Sequence, residues 1–376
     1  MTTLGVILDD MLASEARGAS RYTEDLTRAL IAAAPRGCNV EGFVSASTEA
    51  EYALVTDRLP GLVTLHKSSL ARRELTAAWA HGFTRLPGAG MLHAPSLLAP
   101  LARHDRLNNG DQIAVTVHDT IAWSNPESMT SRRASWHKSM LKRAERYADA
   151  IVVPSHAVAA ELLELTSANA RIRVIGGAPS TAMLLPKDAD ERAQALGLPD
   201  RFVLAIVAPG SVGVLAPMVQ SLVGVRGDVP LVVVGLEQAD DVLASALAEC
   251  ELGADRVKAL GALSDADLAV VVQRASVFLS VAVEEGWGMP VLEAFALGTP
   301  VVHFDSPSLI ELADGAGIVV EREPTEGFTS RVAEAINSIL DDTALSERLT
   351  YSGLDRAKAF TWRSAAEKVW QLHADL

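Results

Sequence analysis

The sequence predicts an α/β protein made of two doubly wound, Rossmann-like domains. Three observations carry that prediction. Short continuous apolar runs, such as Leu4-Gly5-Val6-Ile7-Leu8 and Phe202-Val203-Leu204-Ala205-Ile206-Val207, read as parallel strands buried on both faces. Segments with helical spacing alternate with such runs along the chain. At 376 residues the chain exceeds one ordinary core, so two domains are expected.

The first strand, Leu4 to Leu8, leads into a loop from Asp9 to Ser20 that contains Gly18-Ala19-Ser20. A helix from about Arg21 to Ala34 follows, its buried stripe marked by Tyr22, Leu26, Leu30 and Ala33. A loop feeding a helix N-terminus is one place for an anion, although a single glycine is a weak signal. Next come a strand from Asn39 to Val44, a helix from about Thr48, a strand from Leu62 to Leu65 and a helix from about Ala71 to Ala80. Met91-Leu92-His93 and Ile113 to Val117 read as strands, the second ending in His118-Asp119. A basic helix leads to the strand Ala150-Ile151-Val152-Val153, and Ser155 fits as the N-cap of the helix through Glu161 and Leu162. Arg171 to Ile175 closes the first half.

Gly176-Gly177-Ala178-Pro179 and the polar run Lys187 to Arg192 read as the inter-domain connection. The second alternation starts at Phe202. It continues through Leu231 to Gly235, a helix over about 240–250, Val257 to Leu260, a helix from Asp265 to Gln273, and Ala275 to Ser280. Pro300-Val301-Val302-His303, a helix near Leu309 to Ala313, and Gly317 to Val320 complete it before a helical tail. In such sheets ligands sit outside the C-terminal ends of the strands, and the cleft between two domains is the expected site.

Composition narrows the function. Hydrophobic residues at 49% against 21% charged ones describe a globular chain, not a disordered one. A net charge of −14 argues against a nucleic-acid partner, because binding phosphate requires clustered Lys and Arg. No apolar run reaches the ~20 residues needed to span a bilayer. Met1 to Asp10 lacks a basic leader region and reads as a first strand, so a cytoplasmic setting is expected. Cys38 and Cys250 are too few and too far apart for a disulfide framework or a zinc site, and no metal-ligand spacing is visible. Residues 131–147 run against the overall charge, with Arg132, Arg133, His137, Lys138, Lys142, Arg143 and Arg146. Three readings stay open for that segment: a solvated helix face, an acceptor-phosphate face, or a peripheral contact with the inner membrane surface.

The most informative stretch is Glu284-Glu285-Gly286-Trp287-Gly288-Met289-Pro290-Val291-Leu292-Glu293. It joins the strand run Ala275 to Ser280 to a helix from Pro290 to Leu297. The glycines suit a tight turn or close backbone approach, and Pro290 suits a helix's first turn. Unpaired N–H groups and the helix dipole there fit a diphosphate, flanked by two carboxylates for sugar hydroxyls. An ordinary strand-to-helix turn with two solvated glutamates explains the spacing equally well.

Over nearly its whole length the chain resembles the retaining glycosyltransferases of the GT-B type, in the large fourth sequence family that includes many bacterial mannosyltransferases. The most specific part is Glu285 to Glu293 with Ala294, a glutamate, seven residues and a glutamate around a glycine loop, followed by Gly298-Thr299-Pro300-Val301-Val302. Tyr22-Thr23, Val117-His118-Asp119 with Pro126-Glu127, and Ala148 to Ser155 also match. So do Gly261 with Leu263-Ser264-Asp265, Ser306-Pro307-Ser308-Leu309 with Glu311, and Phe360-Thr361-Trp362.

The resemblance implies an acceptor-side domain over 1–178, a nucleotide-sugar-binding domain over 179–357, and a helix over 358–376 that crosses back to the first domain. It implies Glu285 and His118 as catalytic residues, with Glu285 near the donor sugar and His118 contacting one of its hydroxyls. On its own, His118 reads as a structural histidine at a strand end. Donor binding is implied for Gly286, Trp287, Gly288, Met289, Glu293, Gly18, Ser211 and Gly261, with Glu293 on the ribose. His93 and His303 are expected to be packing or cleft-lining residues. No metal and no cofactor are implied. The partners implied are a nucleotide-diphosphate sugar and a glycan, lipid-linked or small-molecule acceptor, in the setting of polysaccharide biosynthesis. A partner transferase or a homodimer is a further option.

One departure stands out. Where the family carries an Arg and a Lys for the donor diphosphate, this chain has Ala208-Pro209-Gly210-Ser211-Val212-Gly213-Val214-Leu215-Ala216-Pro217. Losing one donor to a developing anion costs on the order of 3 kcal/mol. The departure motivates a second reading, a catalytically degenerate homologue that acts as scaffold for an active transferase.

Overall fold

The structure, a computed structural model, describes the chain except residues 1, 14–16, 84–89, 208–214, 238–240 and 283, and the side chains of Arg17 and Val242. The chain divides into two compact units, Met1–Ala178 with Phe360–Leu376, and Pro179–Ala359.

The first unit runs β1 (Thr2–Ile7), α1 (Arg17–Ala32), β2 (Cys38–Ala46), α2 (Glu49–Arg58), β3 (Leu65–Ala71), α3 (Arg72–His81) and β4 (Met91–Ala94). It continues with α4 (Arg106–Asn109), β5 (Gln112–Thr116), α5 (Ile121–Ser124), α6 (Ser131–Tyr147), β6 (Ala150–Val153), α7 (His156–Leu165) and β7 (Ile172–Val174). Its seven strands form one parallel sheet in the order β3-β2-β1-β4-β5-β6-β7. The winding direction reverses between β1 and β4, which opens a crevice at their C-terminal ends. Apolar strands with helices packed on them put Val6, Val115 and Ile151 fully inside.

The second unit comprises α8 (Ala189–Ala195), β8 (Val203–Ile206), α9 (Leu215–Ser221), β9 (Leu231–Val234), α10 (Asp241–Glu249), β10 (Val257–Ala259) and α11 (Asp265–Arg274). Then follow β11 (Val277–Ser280), α12 (Met289–Ala296), β12 (Val301–Phe304), α13 (Pro307–Ala313), β13 (Ile318–Val320), α14 (Phe328–Asp341) and α15 (Thr343–Lys358). Six parallel strands order as β10-β9-β8-β11-β12-β13, with the reversal between β8 and β11. The last helix, α16 (Trp362–Asp375), belongs with the first unit, where Trp370 Nε1 donates to the Leu30 carbonyl at 3.0 Å.

Local chemistry explains many of the helix starts. Thr48 caps α2 with a reciprocal pair, Glu51 N–H to Thr48 Oγ1 and Thr48 N–H to Glu51 Oε2 at 2.8 Å. Ser155 Oγ accepts from Val158 N–H at 3.1 Å, Ser264 Oγ from Asp267 N–H at 3.1 Å, and Thr361 Oγ1 from Ser364 N–H at 3.2 Å.

Several boundaries differ from the sequence expectation. α1 begins a turn earlier, so Gly18-Ala19-Ser20 are helical and not part of a loop. A Cβ on Gly18 would meet nothing within 4 Å, and this exposed turn makes no steric demand for glycine. The third strand starts at Leu65, where the expected one ended, because Leu62 N–H turns back to the Leu59 carbonyl. The polar run Lys187 to Arg192 is no open linker but leads into α8. Arg192 anchors that helix, its Nη1 2.7 Å from Asp267 Oδ1 and its Nε 2.9 Å from Asp188.

Candidate functional site

Each unit carries candidate residues at the strand ends beside its switch point. In the first unit, β1 runs into a short 3-10 turn, Asp9–Leu12. The buried Asp9 accepts from Ser45 N–H at 3.0 Å, and burial, its largest influence, raises its pKa against that bond and the Arg72 charge. Arg72, the first residue of α3, donates to the Asp9 carbonyl and pairs with Asp10 Oδ1 at 2.8 Å.

His118 follows β5, and Pro95 follows β4. His118 Nε2 lies 2.7 Å from the Pro95 carbonyl. A carbonyl only accepts, so Nε2 carries a proton. Burial pushes the His118 pKa down, and the carboxylates of Asp119 and Asp10 offset it only in part. The ring is therefore neutral near pH 7 with Nδ1 as its acceptor, suited to receiving a hydroxyl proton donor. Tyr22 of α1 packs edge-on against it, and burial raises the Tyr22 phenol to about 12. His137 of α6 is also depressed by burial and feels the same Asp119 charge.

In the second unit the glycine loop joins β11, at the switch point, to α12. Gly288 caps α12 with φ +85, a left-handed conformation that L side chains rarely adopt. A Cβ there would also come within 2.5 Å of Leu309 Cδ2. Pro290 stands in the first turn. The opening backbone amides of α12 therefore sit at the C-terminal edge of β11, an arrangement that suits an anion. Gly286 and Trp287 are buried and Glu285 is half-buried. Glu293, one turn deeper, is only 3% exposed, a rare placement for a carboxylate in a mostly apolar helix. α12 is held from behind by α15, where Gly353 leaves room for the ring of Phe295.

Further along the same edge, Gly235 N–H donates to the Gly261 carbonyl at 2.8 Å, and Gly261 N–H to the Leu236 carbonyl at 2.7 Å. Both glycines have positive φ, and a Cβ on Gly261 would lie 2.5 Å from Glu237 Oε1. Of the residues expected from sequence, Glu285 to Met289 and Glu293 thus form one group, and Gly261 sits at the end of β10 on the same strand edge. Gly18 lies in the first turn of α1, four residues before the Tyr22 that touches His118. Ser211 and the cation-free stretch 208–214 lie outside the described residues. His93 and His303 are both fully buried.

Asp10 with Arg72, and Glu237 beside Gly261, escaped the sequence reading. The first pair is separated by 62 residues and joined only by sheet topology. Among the described residues no group of three or more His, Cys, Asp or Glu is arranged to hold a metal ion.

Known proteins share the two-unit fold. Residues 16–178 match the family described as Glycosyltransferase Family 4, and residues 216–356 match Glycosyl transferases group 1. Sucrose-phosphate synthase from Thermosynechococcus elongatus superposes over 100% of this chain and 99% of its own, with TM-score 0.72 at 21% identity. The chain has the GT-B fold of glycosyltransferases. Another GT-B neighbour, Anabaena HepE in complex with UDP and glucose, covers 100% of both chains with TM-score 0.71 at 17% identity.

Among curated relatives, O-antigen chain mannosyltransferase B of Escherichia coli is 30% identical over 135 residues, 36% of this chain and 34% of its own. The chain spans about a third of the length of several curated relatives it matches. A longer match is the MMP alpha-(1->4)-mannosyltransferase of Mycolicibacterium hassiacum, 25% identical over 80% of this chain and 77% of its own. No helix among the described residues of this GT-B chain is long and apolar enough to cross a membrane.

Proposed function

We propose that this GT-B chain is a retaining hexosyltransferase that uses a nucleotide-diphosphate sugar, of mannose type, and a glycan, lipid-linked or small-molecule acceptor. The observation that carries the reading is the second unit's switch-point loop. There a glycine N-cap opens α12 after β11, with Glu285 before it and the buried Glu293 within it. The mannosyltransferase relatives and the UDP and UDP-glucose complexes of HepE support the donor class.

In the proposed reaction the bond from the anomeric carbon to the diphosphate oxygen breaks, and its electron pair leaves with the nucleotide. The acceptor oxygen attacks the same face of an oxocarbenium-like centre and passes its proton to the departing diphosphate. The α12 amides stabilise that leaving charge. Glu293 accepts from the ribose hydroxyls, Glu285 from the donor sugar, and His118 takes a sugar hydroxyl proton donor at Nδ1. The reaction needs no metal or cofactor.

The test is turnover of nucleotide sugars by wild type and Glu285→Ala. The variant is expected to lose activity by about a hundredfold or more, and an unchanged rate refutes the assignment of Glu285. A degenerate scaffold is the second reading, favoured by the absence of any basic residue over 208–217. It predicts no turnover and no nucleotide binding.

A further inference from the structure

The first unit carries two adjoining hollows at the opposite end of its sheet from His118. One, of about 370 Å³, opens among the starts of β1, β4 and β5 and is lined by apolar residues including Phe43, Met91, Leu92 and Pro100. Carboxylates of Glu41, Asp105 and Asp111 and the Gln112 amide also face it. The other, of about 450 Å³, lies among Arg103, Arg106, Arg146, Arg171 and Arg173, with Asp149 as its one carboxylate side chain and Leu376 on one wall. The two share Arg103 and His104.

Charge and geometry distinguish the second hollow from ordinary surface. The chain as a whole carries −14, yet five guanidiniums converge here. Arg106 reaches Asp149 only at 3.7 Å, and Arg171 spends its donors on the Ala148 and Glu145 carbonyls. Among the described residues Arg103, Arg146, Arg171 and Arg173 make no ion pair within 4 Å. His104 adds to the field. Its Nδ1 lies 3.0 Å from the Ala102 carbonyl and its Nε2 2.7 Å from Asp149 Oδ2, so both ring nitrogens face acceptors, and the Asp149 bond raises the His104 pKa. Like charges gathered without enough counter-charge repel one another, and a bound anion relieves that repulsion.

We propose that the two adjoining hollows form one site for a phosphorylated, polyhydroxylated small molecule. Its phosphate lies among the guanidiniums, and its hydroxyls meet the carboxylates of the neighbouring, more apolar hollow. β5 spans five residues at about 3.3 Å each, so this site lies roughly 17–20 Å from His118, too far to be part of the reacting centre.

The experiment is calorimetry on the full chain with glucose 6-phosphate, inorganic phosphate, glucose and UDP. Glucose 6-phosphate is expected to bind at least about tenfold more tightly than inorganic phosphate, and glucose alone not measurably. Arg103→Gln and Arg173→Gln, both at exposed positions, each weaken glucose 6-phosphate about tenfold and leave Tm and UDP binding unchanged. Equal affinity for phosphate and glucose 6-phosphate overturns the composite site. So does the absence of saturable binding at millimolar concentration, or binding that neither variant alters. Loss of co-sedimentation with phosphatidylglycerol vesicles in these variants, without saturable sugar-phosphate binding, assigns the arginines to a membrane surface instead and also overturns the proposal.

Discussion

The Tyr22 ring stands edge-on to the His118 imidazole, with centroids 4.7 Å apart and planes at 86°. Trp362 of α16 backs Tyr22 in turn, at 5.5 Å. The final helix therefore supports, through one aromatic ring, the histidine that closes β5. His118→Ala is expected to lower kcat/KM about ten- to hundredfold, as loss of a buried hydrogen-bonding partner does. Tyr22→Leu is expected to lower it about tenfold by freeing the imidazole. The double variant should then cost no more than His118→Ala alone, and full additivity in kcat/KM counts against the coupling.

Gly288→Ala tests the loop geometry. An alanine there takes a left-handed conformation and drives its Cβ toward Leu309 and Leu312. The combined penalty is about 2–4 kcal/mol. Urea unfolding followed by far-ultraviolet circular dichroism should show it. A variant of wild-type stability shows that the loop conformation does not depend on glycine.

Acid should weaken the first unit through two histidines. His93 of β4 and His373 of α16 face each other at 5.8 Å, and burial depresses them to about 3 and about 4. Both sit below their unfolded value near 6.5, so their contribution is present above pH 6.5 and is lost as pH falls from there toward 4. The slope approaches about 1.4 kcal/mol per pH unit for each histidine. His104 works in the opposite sense, because its bond to Asp149 raises its pKa and its contribution fades as pH rises. His93→Leu removes one proton-binding site and two buried ring nitrogens without partners. Between pH 7 and 5.5 it should lose about 1.4 kcal/mol less stability than wild type. Tryptophan fluorescence reports on this unit, which holds five of the six tryptophans. Equal losses in both proteins refute the assignment.

The alternation of apolar runs and helical stripes made both sheets legible in the sequence, since a strand buried on two faces has no other way to be written. The N-cap at Ser155 placed the helix it begins, whereas the caps at Thr48 and Ser264 emerged only with the structure. The Glu285 to Glu293 stretch was legible because strand, glycine turn and helix are contiguous there. What lies across the fold was not: Arg72 reaches Asp10 from 62 residues away, and the arginines beside Asp149 come from three separate stretches of chain. The start of α1 was misplaced because Gly18 looked like a loop residue, whereas its exposed position tolerates helix. Residues 208–214, where the resemblance led to an expectation of cations, lie outside the described residues.

Nucleotide binding tests the central claim most directly. Calorimetric titration of the full chain with UDP, GDP, ADP and dTDP should show saturable binding of one of them, and Glu293→Ala should weaken it about tenfold or more. If none of the four binds at millimolar concentration, the chain is not a transferase of this kind, and the scaffold reading stands in its place.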